Sequence, residues 1–174
     1  LAYPELGWDF DGMRKSINIH DILNHPELKW KWNFVSQNPS VTMEIVLSNF
    51  GKLWNWACLS RNSSITMSDI ESHMDLPWNW HSVSYNPNLT MAMIEANPDI
   101  KWDWYGISGH MKLTVDLLRQ LADTPRYFVN ASLFNTSITL ELLLATPDLP
   151  WSYNRLSHNR GLTMDMVVAF PDGD

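Results

Sequence analysis

The sequence predicts an all-α solenoid. Three regularities predict it: a register of about 24 residues, aliphatic residues at helical spacing behind a capping side chain, and tryptophans confined to two register positions. A repeat this short cannot bury its own apolar face, so neighbouring copies must stack on one another.

Each repeat opens on a hydroxyl or amide residue: Asn18, Thr42, Thr66, Thr90, Thr114, Thr139 and Thr163. Successive members of that series are 24 residues apart, except for 25 between Thr114 and Thr139. An aliphatic residue precedes every anchor, from Ile17 and Val41 to Leu162. Apolar residues recur one and four places after it, as in Met43 with Val46 and Met67 with Ile70. That spacing places them on one face of a helix. The anchor side chain can accept from the free N–H groups of the first turn. Acidic residues such as Glu44, Asp69 and Asp116 fall where the helix dipole favours them. Pro26, Pro98, Pro147 or Pro171 then stops the helix after about two turns, roughly 12 Å. A helix so short does not persist alone.

The second half of each repeat runs from a Trp-x-Trp pair through an aliphatic-Ser couple to Asn-Pro, as in Trp80, Val83, Ser84, Asn86 and Pro87. The second tryptophan and the aliphatic residue three places on share a face of a short helix, α or 3₁₀. Asn-Pro ends it, because a residue before proline avoids the α region, and the asparagine can hold the turn with local side-chain bonds. All ten tryptophans occupy the two positions of this pair, with Trp8 and Trp151 as singles. Such regularity predicts large rings filling the groove between one repeat and the next, in preference to an outward aromatic ladder. Residues two apart cannot point the same way on a helix, so the two positions must do different jobs.

Composition narrows function. Apolar residues make up 45 % of the chain, and 19 acidic residues against 12 basic ones give a formal charge of -7. With no cluster of Lys or Arg, a phosphate-tracking surface is not expected, which argues against nucleic acid as a partner. No apolar run approaches the roughly 18 residues of a membrane span, so no membrane insertion is expected. Cys58 is the single cysteine, which precludes an intrachain disulfide and fits a reducing intracellular compartment. The six histidines show no metal-binding spacing, and no glycine-rich phosphate loop occurs. Neither a cofactor nor a metal is expected, and no catalytic constellation is found. Residues 1–174 read as a single solenoid that breaks off inside a seventh repeat, as a piece of a longer chain would.

Two departures from the register stand out. At the first repeat, Asp9, Asp11, Arg14 and Lys15 replace the aliphatic-Ser-Asn series, the polar character expected of a terminal cap. At the fifth boundary, Gly109, His110, Met111 and Lys112 replace the Asn-Pro turn. There Tyr127 and Val129 take the tryptophan positions, with the one extra residue absorbed beside them. A tolerated slip between two half-stacks would account for this. A kink offering a partner-binding notch at His110, Arg119, Arg126 and Tyr127 is the functional alternative. A small-ligand binder or enzyme centred on residues 109–129 is a further one, and it requires those side chains to meet in a concavity.

The run Leu89-Thr90, Asn97-Pro98-Asp99 and Trp102-Asp103-Trp104 resembles the tryptophan-rich repeats of giant DNA virus proteins. In architecture the repeat is similar to leucine-rich variant repeats, which alternate α and 3₁₀ helices. The resemblance covers essentially the whole chain and brings no enzymatic residues with it. It implies a non-enzymatic scaffold or adaptor whose partners are other proteins, among them capsid or other virion components.

Overall fold

The structure, a computed structural model of the chain, describes residues 17–28 and 30–170. The polar cap expected at Asp9–Lys15, Trp8 and the turn at Pro171 lie outside the described residues. Among those described, the chain is an all-α helical-repeat solenoid of thirteen short helices with no strand. The helices alternate between two kinds. Those that follow the anchors are α1 (Ile19–Asn24), α3 (Met43–Ser48), α5 (Met67–Ser72), α7 (Met91–Ala96), α9 (Val115–Ala122), α11 (Leu140–Ala145) and α13 (Met164–Ala169). Those between them are α2 (Trp32–Val35), α4 (Trp56–Ser60), α6 (Trp80–Val83), α8 (Trp104–His110), α10 (Pro125–Phe134) and α12 (Tyr153–Leu156). The second kind is α-helical and mostly a single turn long. Two compact units divide the chain, one ending at Leu89 and one beginning at Thr90.

The anchors cap as their chemistry dictates. Oγ1 of Thr42, Thr66, Thr90, Thr114 and Thr139 each accepts from the backbone N–H three residues on. Asp69 completes a capping box by accepting from the Thr66 N–H. Behind the caps the aliphatic residue four places on is buried, with Val46 and Ile70 in the first unit and Leu118 and Leu143 in the second all at most 2 % exposed, whereas Met164 and Val167 of the last repeat are exposed.

The Trp-x-Trp pair divides its labour at a helix start. The middle residue is the N-cap of the second helix: Asn55, Asn79 and Asp103 each accept there from a first-turn N–H. The second tryptophan is the first helical residue. The first lies outside, and its indole N–H donates to the carbonyl five residues back at the C-cap of the preceding helix. That bond recurs from Trp30 to His25 (2.8 Å), Trp54 to Asn49 (3.0 Å), Trp78 to His73 (2.8 Å), Trp102 to Asn97 (3.1 Å) and Trp151 to Thr146 (2.9 Å). It satisfies one of the carbonyls a helix end leaves open. Within the first unit the second ring of one repeat also meets the first ring of the next edge to face, Trp32 on Trp54 at 5.0 Å and Trp56 on Trp78 at 5.1 Å. The rings therefore bridge consecutive repeats, and no described tryptophan is fully exposed.

Second helices pack on one another, α4 on α6 in the first unit, α8 on α10 and α10 on α12 in the second. Buried polar side chains lock that packing. Ser36 Oγ donates to the Trp32 carbonyl and accepts from the Asn55 N–H of the next repeat (2.9 Å); Ser60 does the same with Trp56 and Asn79. The asparagine at this register position, followed by proline at Asn38 and Asn86 but not at Asn62, Asn135 or Asn159, does more than hold its turn. Its Oδ1 accepts locally, from the N–H of Ser40, Ser64 or Asn88. Its Nδ2 reaches back one repeat: Asn62 donates to the carbonyls of Ser36 and Asn38 (both 3.0 Å), and Asn86 to those of Ser60 (2.9 Å), Asn62 (3.2 Å) and Ile65 (3.3 Å). In the second unit Asn135 donates to Ser108 and Met111, and Asn159 to Ser132 and Asn135.

The extra residue of the fifth interval enters elsewhere than expected. Phe128, not Tyr127 or Val129, takes the second tryptophan position: its ring meets Trp151 at 4.8 Å, and its carbonyl accepts from Ser132 Oγ as Trp32 does from Ser36. Arg126 therefore stands at the first tryptophan position. The insertion falls between Ser132 and Asn135, where α10 runs to ten residues and absorbs it as added helix. Both helices flanking this boundary, α9 and α10, outlast their counterparts.

Two substitutions measure these contacts. Trp54→Ala should cost about 3–5 kcal/mol in urea unfolding, whereas Trp54→Phe, which keeps a ring and loses the N–H bond, should cost about 1 kcal/mol. Asn86→Asp turns a buried donor into an acceptor facing three carbonyl oxygens and should cost about 3 kcal/mol at neutral pH. Its carboxyl would be pushed above the ordinary aspartate range, so the lost stability should return as the pH falls and the group gains a proton to donate. A loss that does not change with pH would contradict the assigned bonding.

Candidate interaction surface

The four side chains expected at the fifth boundary are held by three different arrangements. His110 is the last residue of α8 and is exposed. Arg119, on α9, reaches the Pro-Asp turn of the next repeat and forms a forked ion pair with Asp148, at 2.8 and 3.3 Å. Arg126 stacks over the ring of its neighbour Tyr127, its guanidinium carbon 4.8 Å from the centroid. This contact brings Arg126 and Tyr127 together, and Arg119 is engaged by Asp148. Hydrogen bonding to Arg119 holds the Asp148 carboxyl below its usual range and raises the guanidinium in turn. Elsewhere on the surface a hydrogen bond from His25, at 2.9 Å, lowers Glu27 in the same way.

Beneath this boundary α8 and α10 approach closely. A Cβ at Gly109 would stand 3.1 Å from Nδ2 of Asn130, which accounts for glycine there. Asn130 Nδ2 donates to the Tyr105 carbonyl (2.6 Å) and to Ser108 Oγ (3.0 Å), while its Oδ1 is buried without a hydrogen-bond partner. The departure at Gly109 thus has a packing cause. Cys58 is buried on α4, where its thiol accepts from Gln37 at 3.4 Å. Among the described residues no group of three or more His, Cys, Asp or Glu could hold a metal, and no helix is long and apolar enough to cross a membrane.

Two concavities lie away from residues 109–129. One, of about 650 Å³, opens between α11, α12 and α13 over Leu143, Tyr153, Leu156, His158, Met166 and Phe170. The other, of about 160 Å³, lies in the first unit over Leu23, Leu28, Trp30, Trp32, Lys52 and Leu53. Leu53, which lines the second, is 79 % exposed, and Leu47 and Phe50, earlier in the same helix and turn, are exposed by 41 and 54 %. The signal for this patch was present in the sequence as Phe50-Gly51 at positions where every other repeat carries an acid second and four carry Pro-Asp or Pro-Glu, yet it lies outside the boundary departures that the register brings forward first. Comparison with family profiles, characterised proteins and solved structures finds no match to the chain.

Arg119 and Asp148 are both about half exposed, and an ion pair in water contributes little. Arg119→Ala should therefore leave the thermal midpoint almost unchanged at neutral pH. Because the Asp148 carboxyl is lowered in the folded chain, what the pair does contribute is present above the ordinary aspartate range and disappears as the pH falls through the lowered value. Midpoints of the parent and variant should accordingly converge in acid, and a gap that widened there would contradict the pairing.

Proposed function

We propose that the chain is a non-enzymatic scaffold that contacts other proteins through the exposed turns of its repeats. What supports this reading is where the recurring polar groups go. The serine hydroxyls, asparagine amides and indole N–H groups that define the register bind neighbouring backbone inside the stack. The turns carry no such obligation, and there the sequence varies from repeat to repeat while large apolar side chains such as Phe50, Leu53 and Met74 stand largely in solvent. A stack with a uniform interior and a variable exterior suits recognition of protein surfaces, since each repeat adds contact area without altering the core. On the wording of the repeat we extend the proposal to the tryptophan-rich proteins of giant DNA viruses, with capsid or other virion components as partners.

Chemical cross-linking of the chain in its native setting, read by mass spectrometry, tests this reading. Cross-links from turn residues to a small, recurring set of other proteins are expected. Recovery of the chain only as a free monomer would overturn the proposal.

A further inference from the structure

The turn that follows α3 departs from the register at four consecutive residues, Phe50 to Leu53. Nine residues past the anchor the repeats carry Glu27, Asp75, Asp99, Asp123, Asp148 and Asp172, but the second repeat carries Gly51. Ten places past it stand Leu28, Leu76, Ile100 and Leu149, and here Lys52; eleven places past it stand Lys29, Pro77, Lys101, Pro125 and Pro150, and here Leu53. The aliphatic and basic residues of Leu28-Lys29 are thus exchanged in Lys52-Leu53. The exchange carries a leucine to 79 % exposure and sets the Lys52 ammonium 5.9 Å from the Trp32 ring centroid. Phe50, 54 % exposed, replaces the proline found at Pro26, Pro98 and Pro147.

Phe50 meets the Trp56 ring at 6.2 Å and Lys52 the Trp32 ring, whereas packing does not demand Gly51 or Leu53. A Cβ at Gly51 would meet nothing within 4 Å, and no described glycine has a positive φ, so neither space nor backbone conformation demands glycine. Leu53 is exposed at a position where other turns manage with lysine or proline. The exchange sets Leu53, with Gly51 and Lys52, on the wall of the groove floored by Trp30 and Trp32. Lys52 stands at its edge and has no carboxylate partner among the described residues. Loss of the turn acid at Gly51 removes a charge that would repel an anionic segment.

Resting on the scaffold reading above, we infer that this turn and groove dock a segment of another protein in which an apolar side chain lies within a few residues of a carboxylate. The apolar side chain enters over Trp30 and Trp32 against Leu53, where water is displaced from both surfaces. The carboxylate meets Lys52 at the rim, where charge selects partner and orientation more than it adds affinity. Gly51 leaves the backbone bare, so a bound segment can approach it closely.

A displayed library of random dodecapeptides, panned on the intact chain, tests the inference. Enriched sequences should pair an aliphatic or aromatic residue with a nearby Asp or Glu. A synthetic representative should bind the parent about tenfold more tightly than the variant Phe50→Pro, Gly51→Asp, Leu53→Lys, which restores the residue kinds of the other turns. Lys52→Glu, a change of charge at an exposed residue, should weaken the same peptide, as should exchanging its carboxylate for an amide; these two carry the test if the triple variant does not fold. Absence of enrichment, enrichment of basic or uncharged sequences, enrichment of tryptophan-pair sequences like those of the chain itself, or equal binding to Lys52→Glu would each overturn the site. Failed panning with native cross-links intact in the triple variant would remove this site and leave the scaffold reading standing.

Discussion

A buried side-chain amide, present in every described repeat but the one that carries His110 in its place, sets the terms for the rest of the structure. Each short second helix ends with carbonyls that its own turn cannot satisfy, and in an apolar interior an unpaired carbonyl is costly. The asparagine of the following repeat donates both amide protons to that backbone while its Oδ1 holds its own turn. This couples the end of one repeat to the end of the next, and it does so at fixed separation, 24 residues from asparagine to asparagine in Asn62 to Asn38, Asn86 to Asn62 and Asn159 to Asn135. The register seen in the sequence is the trace of this bonding. Where the count slips, the bonding does not: the added residue lengthens α10, and Asn159 still finds Ser132 and Asn135.

Around that ladder the apolar residues divide according to the directions available to them. The first tryptophan sits outside the helices and closes the end of the helix before it, while the second begins a helix and, in the first unit, meets the first ring of the next repeat. Both rings carry large apolar area and one polar handle, and the structure uses both properties at once. With the interior determined by caps, rings and amides, turn residues are released from packing duties. The surface can then differ between repeats of nearly identical core, as Phe50-Gly51-Lys52-Leu53 does from Asp148-bearing and Asp99-bearing turns.

Much of this was legible in the sequence because local chemistry governs it. Thr42 and its equivalents announce helix starts through their own side chains, and the buried pair at Val46 or Ile70 follows from spacing alone. The two tryptophan positions were rightly expected to differ. What the sequence concealed is what depends on a neighbour. Asn38 and Asn86 suggest local turn bonds, and Oδ1 makes them, but the carbonyls that Nδ2 reaches lie in another repeat. Tyr127 and Val129 look like an alternating apolar pair, whereas the stack selects Phe128 because its ring must meet Trp151. Of the side chains expected at the fifth boundary, Arg119 reaches across a turn to Asp148, a pairing that no residue near it in the chain foretells.

Side-chain amide hydrogen exchange, followed by nuclear magnetic resonance, tests the asparagine ladder most directly. The Nδ2 protons of Asn62, Asn86 and Asn159 should exchange far more slowly than those of the exposed Asn33 and Asn154, and should be released only with unfolding of the repeats they join. Exchange of all five at one common, solvent-limited rate would show that these amides do not hold the repeats together.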